Sequence, residues 1–183
     1  YKVPVRVLSS FNEGSGTLIS LEDNGMENAL VSGIAFQKDQ VKVTLHGVED
    51  TPGTAFKILG PISDAEIEVD VIVQNVSVDG KTDFTFTVST EDQEAIKGII
   101  EDIRQKIEFK DLIIDSEIAK VSLVGVGMRS QSGVASKTFK ALSENDVNIQ
   151  IISTSEIKIT MVIKEDEVDK AVQVLHKEFE LDK

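Results

Sequence analysis

Apolar residues in this chain recur with two different periods. Val41, Val43 and Leu45 alternate with Lys42, Thr44 and His46, and a period of two with one polar side describes a half-buried strand. Beyond them Ala55, Ile58, Leu59 and Ile62 fall at i, i+3, i+4 and i+7, the spacing of one helix face. Asp50-Thr51-Pro52-Gly53 predicts the start of that helix, with Asp50 as cap and Pro52 in the first turn. Period two returns at Ile67, Val69, Val71 and Val73, and again after an Asp79-Gly80 turn at Phe84, Phe86 and Val88. Thr90 and Gln93 are spaced for a capping box, behind which Ile96, Ile99, Ile100, Ile103 and Ile107 form one stripe. Leu112–Ile114 follows as a further strand.

The same order then repeats. A shift of 80 positions lays 41–77 on 121–157, with Val41 on Val121, Gly47 on Gly127, Gly53 on Gly133, Ala55 on Ala135 and Lys57 on Lys137. Leu59 falls on Phe139, Ile62 on Leu142, Ile67 on Val147 and Val69 on Ile149. The copied stretch predicts a strand at Val121 and Leu123 and a helix face at Ala135, Thr138, Phe139 and Leu142. Strands at Val147–Ile151 and Ile157–Ile163 follow, then a helix through Val168, Ala171, Val172, Leu175 and Phe179. Each copy is therefore expected to be a βαββαβ unit of the α+β, ferredoxin-like kind, with two helices on one face of an antiparallel sheet. The second copy ends after its last helix and lacks a fourth strand. The unassigned apolar run Ala29–Phe36 precedes the first copy and is expected to supply it. The units are then 38–115, and 29–37 plus 116–183, the first inserted in the second. Residues 1–28 fit neither and read as a short strand through Val3, Val5 and Val7 followed by a linker.

Charge narrows the function. With 19 Lys+Arg against 32 Asp+Glu the formal charge is −13, which argues against a nucleic-acid surface and an anionic membrane face. The sequence has no Cys, hence no disulfide framework, thiolate metal site or thiol nucleophile. No apolar run reaches the length of a membrane span, and Tyr1 opens no signal-peptide pattern. The expectation is a soluble, cytoplasmic protein.

Catalytic templates mostly fail. His46 and His176, the two histidines, have no acid at metal-ligand spacing and read as surface residues. Gly125-Val126-Gly127-Met128-Arg129-Ser130 departs from a dinucleotide fingerprint at its third glycine and lacks a parallel βαβ setting. What occurs twice is a Gly-rich passage from strand to helix, Gly47–Gly53 and Gly127–Gly133. A helix N-terminus offers free N–H groups and partial positive charge to a carboxylate, and a glycine lets the ligand approach the backbone. Oxygen acceptors for an ammonium group are available at Asp50, Gln74 and Asn75 in one copy and at Ser153, Thr154, Ser155 and Glu156 in the other. The same residues would also serve as plain caps and turns, and both readings stay open at this level.

At these loops the chain resembles a known family. Gly47…Asp50-Thr51-Pro52-Gly53, Val73-Gln74-Asn75-Val76-Ser77, Asn148-Ile149, Ser153-Thr154-Ser155-Glu156-Ile157 and Lys120–Met128 are similar to the tandem ACT domains that regulate bacterial aspartate kinase. Tyr1–Ile19 resembles the end of that family's catalytic domain.

The resemblance implies feedback control of the ATP-dependent phosphorylation of aspartate by lysine, threonine or both. It implies no cofactor in this chain, since ATP and Mg belong to the catalytic domain, and no catalysis by this chain alone. It further implies a regulatory β subunit that pairs with a catalytic α subunit, or a piece of the longer enzyme, and Tyr1 together with the catalytic-domain remnant favours the piece. A first effector site, for threonine, is expected at Asp50, Pro52, Gly53, Ala55, Ile67 and Gln74, closed by Asn148 and Ile149 of the facing ACT unit. A second, for lysine, is expected at Met128, Ser130, Gly133, Val134, Ala135, Ser153, Thr154, Ser155 and Glu156. The units are expected to associate as a symmetric dimer, first unit against second, with effectors at the seam and the Glu22–Asn28 linker leading to the kinase. An ACT dimerisation module that binds nothing is the alternative.

Overall fold

The structure, a computed structural model, describes residues 3–11, 14–19, 31–75, 80–125 and 133–181. Its elements are β1 (Val5–Val7), β2 (Thr17–Ile19), β3 (Gly33–Glu49), α1 (Thr54–Asp64), β4 (Asp70–Gln74), β5 (Lys81–Ser89), α2 (Gln93–Arg104), β6 (Asp111–Val124), α3 (Val134–Ser143), β7 (Ile151–Thr154), β8 (Lys158–Lys164) and α4 (Val168–Glu178). β1 and β2 pair as a separate antiparallel ribbon. The other six strands form one antiparallel sheet in the order β4-β5-β3-β6-β8-β7.

The long strands β3 and β6 carry the architecture. Val41–Leu45 pairs with Phe84–Val88 of β5, and Lys42–His46 pairs with Asp111–Asp115 of β6. The earlier part of β3, Gly33–Gln37, pairs instead with Lys120–Val124, whose other side pairs with β8. The run expected to supply a strand to the second half thus does pair there over 33–37. Between these stretches the register shifts at Gln37, Gln40 and Lys42, and Asp39 sits at φ 59. A short polar side chain tolerates that left-handed backbone. The two expected sheets are in this way hydrogen-bonded into one, each using a different length of β3 and β6.

Two hydrophobic cores result. Val41, Val43 and Leu45 are fully buried with Phe84, Phe86, Ile58, Ile62, Ile96 and Ile100 under α1 and α2. Val121, Leu123, Ile159, Met161, Leu142 and Leu175 are buried under α3 and α4. The i, i+3, i+4 stripes face these cores, as expected. At Gly47, φ 67, a bulge between Leu45 and Val48 turns Val48 inward to full burial.

Several boundaries differ from the pattern-based expectation. Ile67, Val69, Val147 and Ile149 lie outside β4 and β7. The amide N–H groups of Ile67 and Val147 instead donate to Ile62 O and Leu142 O at 3.2 and 3.0 Å, and Glu66 and Asp146 take left-handed φ of 58 and 52. This is the Schellman ending of a helix, so these apolar residues cover a helix end. Ile157 is 60% exposed and precedes β8. α1 starts at Thr54 with Gly53 as N-cap, so Pro52 lies ahead of the helix and Asp50 does not cap it. Ser89, rather than Thr90, caps the 3-10 turn Thr90–Asp92, its hydroxyl accepting from Glu91 N–H at 3.4 Å. β2 was not expected, because its three residues are exposed and Thr17-Leu18-Ile19 carries no alternation of apolar and polar positions. The Glu22–Asn28 linker lies outside the described residues.

Candidate functional site

The passage from β3 to α1 is built by local bonds. Asp50 N–H donates to Gly80 O at 2.9 Å, tying the loop to the β4–β5 connection. Thr54 N–H donates to Thr51 O at 3.1 Å, and Thr54 Oγ1 donates to Glu49 O at 2.9 Å. Gly53 at φ 93 makes the turn that an L side chain would strain. Having no side chain, it leaves the helix start without a side-chain cap. Asp50 is exposed, and its Oδ1 accepts from Gln74 Nε2 at 3.3 Å. The sequence-predicted pair Asp50 and Gln74 is therefore brought together beside the start of α1. Ala55 and Ile67 are half-buried against the first core.

Asn148 and Ile149 line a separate hollow of about 490 Å³ with Phe139, Ser143, Asp146 and Val147. It lies by the ending of α3 in the other half of the chain. The first group of predicted residues thus falls in two places, one in each half.

The start of α3 repeats one backbone bond of the start of α1. Lys137 N–H donates to Gly133 O at 2.8 Å, as Lys57 N–H donates to Gly53 O at 2.9 Å. Gly133 is the N-cap of α3 and again gives no side-chain cap. Val134 is buried and Ala135 half-buried against the second core. Ser153 and Thr154 are exposed at the end of β7. Ser155 holds the β7–β8 turn, its N–H donating to Lys158 O at 2.8 Å and its hydroxyl accepting from Lys158 N–H at 3.1 Å. Glu156 is exposed beside it. Met128 and Ser130 lie outside the described residues. No group of acids or histidines able to hold a metal occurs among the described residues.

Sequence reasoning missed a set of polar groups on the helix-free face. Lys120 Nζ donates to Asp70 Oδ2 at 2.6 Å, with the lysine side chain only 6% exposed. Lys42 Nζ donates to Asp115 Oδ2 at 3.0 Å and also to Gln150 Oε1. The Lys120 hydrogen bond, helped by the Val71 N–H and opposed by burial, holds the Asp70 carboxyl below its usual range. Asp83 is lowered chiefly by the Gly47 N–H, then by His46, while burial opposes. His46 Nδ1 lies 3.0 Å from Asp83, so this histidine has an acid partner across the β3–β5 pair. Period two marks these positions as polar, but their partners are 50 and 108 residues away.

Two stretches of the chain, residues 43–108 and 121–179, match the ACT domain family. Over 183 residues the chain is 56% identical to an aspartate kinase of Pseudomonas fluorescens, covering 100% of this chain and 44% of that protein. A crystal structure of aspartokinase alpha and beta subunits shares 47% identity at a TM-score of 0.77, covering 82% of this chain and 99% of that one. The ligand-free regulatory subunit of aspartate kinase from Thermus thermophilus shares 32% identity at a TM-score of 0.78, with the same coverage. The chain spans less than half the length of the full-length relatives it matches.

Proposed function

The chain belongs to the aspartate kinase family as its tandem-ACT regulatory part, and from that premise we propose that it binds end-product amino acids. Lysine, threonine or both would bind and inhibit the ATP-dependent phosphorylation of aspartate carried out by a catalytic partner domain or α subunit. The observation that carries this reading is the Asp50–Gln74 pair at 3.3 Å beside the uncapped start of α1. A free amino acid carries both charges on one carbon. Its carboxylate suits the N–H groups near Pro52, Gly53 and Ala55, and its ammonium suits Asp50 and the Gln74 amide oxygen.

For the second site the corresponding elements are Gly133–Ala135 and the polar residues Ser153–Glu156 at the end of β7 and the turn after it, and we also assign Met128 and Ser130 to it. A longer effector, lysine, fits the extra acid at Glu156. Asn148 and Ile149 would close the first site from a partner chain, since in one chain they line a different hollow. We further assign residues 38–115 to one ACT unit and 29–37 with 116–183 to the other. The pairing of Gly33–Gln37 with Lys120–Val124 supports that division. Residues 1–28 are assigned to the end of the catalytic domain and its linker.

Calorimetric titration of the chain with threonine and lysine, each alone and then together, tests the reading. A ligand at 100 times its dissociation constant also stabilises by about 2.7 kcal/mol, which a thermal shift detects. One observation favours the alternative, an ACT dimerisation module without effector. Ile72 and Ile152, on the outermost strands β4 and β7, are 52% and 47% exposed. Dimerisation with no heat from either amino acid would establish that alternative.

A further inference from the structure

Two lysines cross between the halves of the chain, and each grasps the start of an outer strand. Lys120 belongs to the stretch of β6 that pairs with β8, and its target, Asp70, opens β4 in the other half. Asp70 is held on further sides: Oδ1 accepts from Val71 N–H at 2.9 Å, and its carbonyl accepts from Thr87 Oγ1 at 3.0 Å. Lys42 belongs to the stretch of β3 that pairs with β5, and its Nζ bonds Gln150, immediately before β7. Asp70 and Gln150 are 80 positions apart, the spacing of the repeat. The far ends of the same strands carry Gln74 and Ser153–Thr154, the effector contacts proposed above.

β4 is a five-residue edge strand with one neighbour, β5. Its register shifts between Asp70 and Val73, and Val71 takes φ 37, a strained value for a β-branched residue. From Asp70 to Gln74 is roughly 13 Å at about 3.3 Å per residue. The strand can shift at its free edge, but its start cannot leave Lys120 without stranding the ammonium of a lysine whose side chain is only 6% exposed.

We propose that Lys120 with Asp70, and Lys42 with Gln150, are positioning contacts that carry effector occupancy from one half of the chain to the other. Drawing Gln74 toward a ligand shifts β4, and Asp70 passes the shift to Lys120 on the central strand of the second half. The Lys42–Gln150 contact does the same in reverse for β7. Because coupling between two binding sites is reciprocal, both contacts serve both directions. The proposal rests on the reading that both sites bind amino acids.

The test is calorimetry on the whole chain, titrating threonine with and without saturating lysine. The quantity read is the ratio of the two threonine dissociation constants, which a purely structural role would not move. The wild type is expected to show a ratio differing from one by about five-fold or more. Lys120→Met, which keeps the buried stem, is expected to leave each single-ligand affinity within about two-fold and to lower the ratio by at least about two-fold, and Lys120→Met combined with Gln150→Leu is expected to bring it to one. Asp70→Asn, which keeps the strand's shape, is expected to do the same as Lys120→Met, alone and in the combination, and decides the matter should Lys120→Met not fold. A ratio unchanged in a folded single variant, or surviving in the folded double variant, overturns the proposal. A wild type that binds both amino acids with a ratio of one overturns it while leaving the effector reading standing. A wild type that binds neither overturns both.

Discussion

Asp50 sits exposed with its carboxylate on the Gln74 amide and no place in the cap of α1. Its removal therefore has different consequences for binding and for stability. Asp50→Ala is expected to weaken threonine binding by at least ten-fold in calorimetry, while the urea midpoint moves by less than about 0.5 kcal/mol equivalent, as for surface residues away from caps and cores. A capping aspartate would have cost about 1 kcal/mol. Asp70 and Asp83 behave oppositely, since their carboxyls are lowered in the folded chain. A lowered folded value means that the stability is present above the ordinary carboxylate range, near pH 4. It is lost as pH falls through the folded values. Acid unfolding should accordingly show a smaller loss between pH 5 and pH 3 in Asp70→Asn than in the wild type, measured by urea midpoints at each pH. Sequence alone showed Asp70 as one more polar strand residue. It could not show Lys120, 50 positions away, closing on it.

At the scale of elements, the helix endings explain the misplaced strand starts. α1, α3 and α4 each end with a non-glycine residue in the left-handed region: Glu66, Asp146 and Glu180 at φ 58, 52 and 53. Behind each, an N–H returns to the carbonyl five residues earlier, as from Ile67 to Ile62 and from Leu181 to His176. Glycine adopts this backbone without a Cβ penalty. Glu66→Gly is expected to stabilise by about 0.5–1 kcal/mol, the relief of left-handed strain less the added unfolded-state freedom, read as a higher melting temperature. Periodicity located the stripes of all four helices, with Ile107 and Phe179 falling just past the ends of α2 and α4, because those patterns are local and each follows one face. It ran Ile67 and Val69 into β4, because an apolar residue covering a helix end carries the same letter as one in a strand.

For the whole molecule, the charge of −13 opposes self-association, so any contact between copies must rest on apolar and strand-edge surface. The sheet ends in β4 on one side and β7 on the other. Each of these outer strands presents an exposed isoleucine, Ile72 and Ile152, and unpaired strand edges seek partners. The edges are repeat-related, so β4 of one copy against β7 of another would make a symmetric dimer that joins unlike halves. Ile72→Asp is expected to convert that dimer to monomer in sedimentation velocity at micromolar concentration, with the circular dichroism spectrum unchanged. A monomeric wild type under saturating effector would refute the arrangement.

By itself the sequence determined the duplicated βαββαβ order, the two cores and the pair of Gly-opened helix starts. Each of these is written in residues fewer than ten positions apart, or in the fixed 80-residue offset. Tertiary structure alone decided that β3 and β6 run unbroken through both halves. The residues Gln37-Lys38-Asp39-Gln40 carry no alternation of apolar and polar positions, and the pairing of Gln37 with Lys120 and of Gln40 with Ser89 and Ile118 carries the strand across the left-handed Asp39. Tertiary structure also decided that Lys42 and Lys120 cross from one half to the other. A charged side chain among alternating strand residues is compatible with open solvent or with a distant carboxylate. The energy that chooses between them comes from a partner whose position depends on the completed sheet.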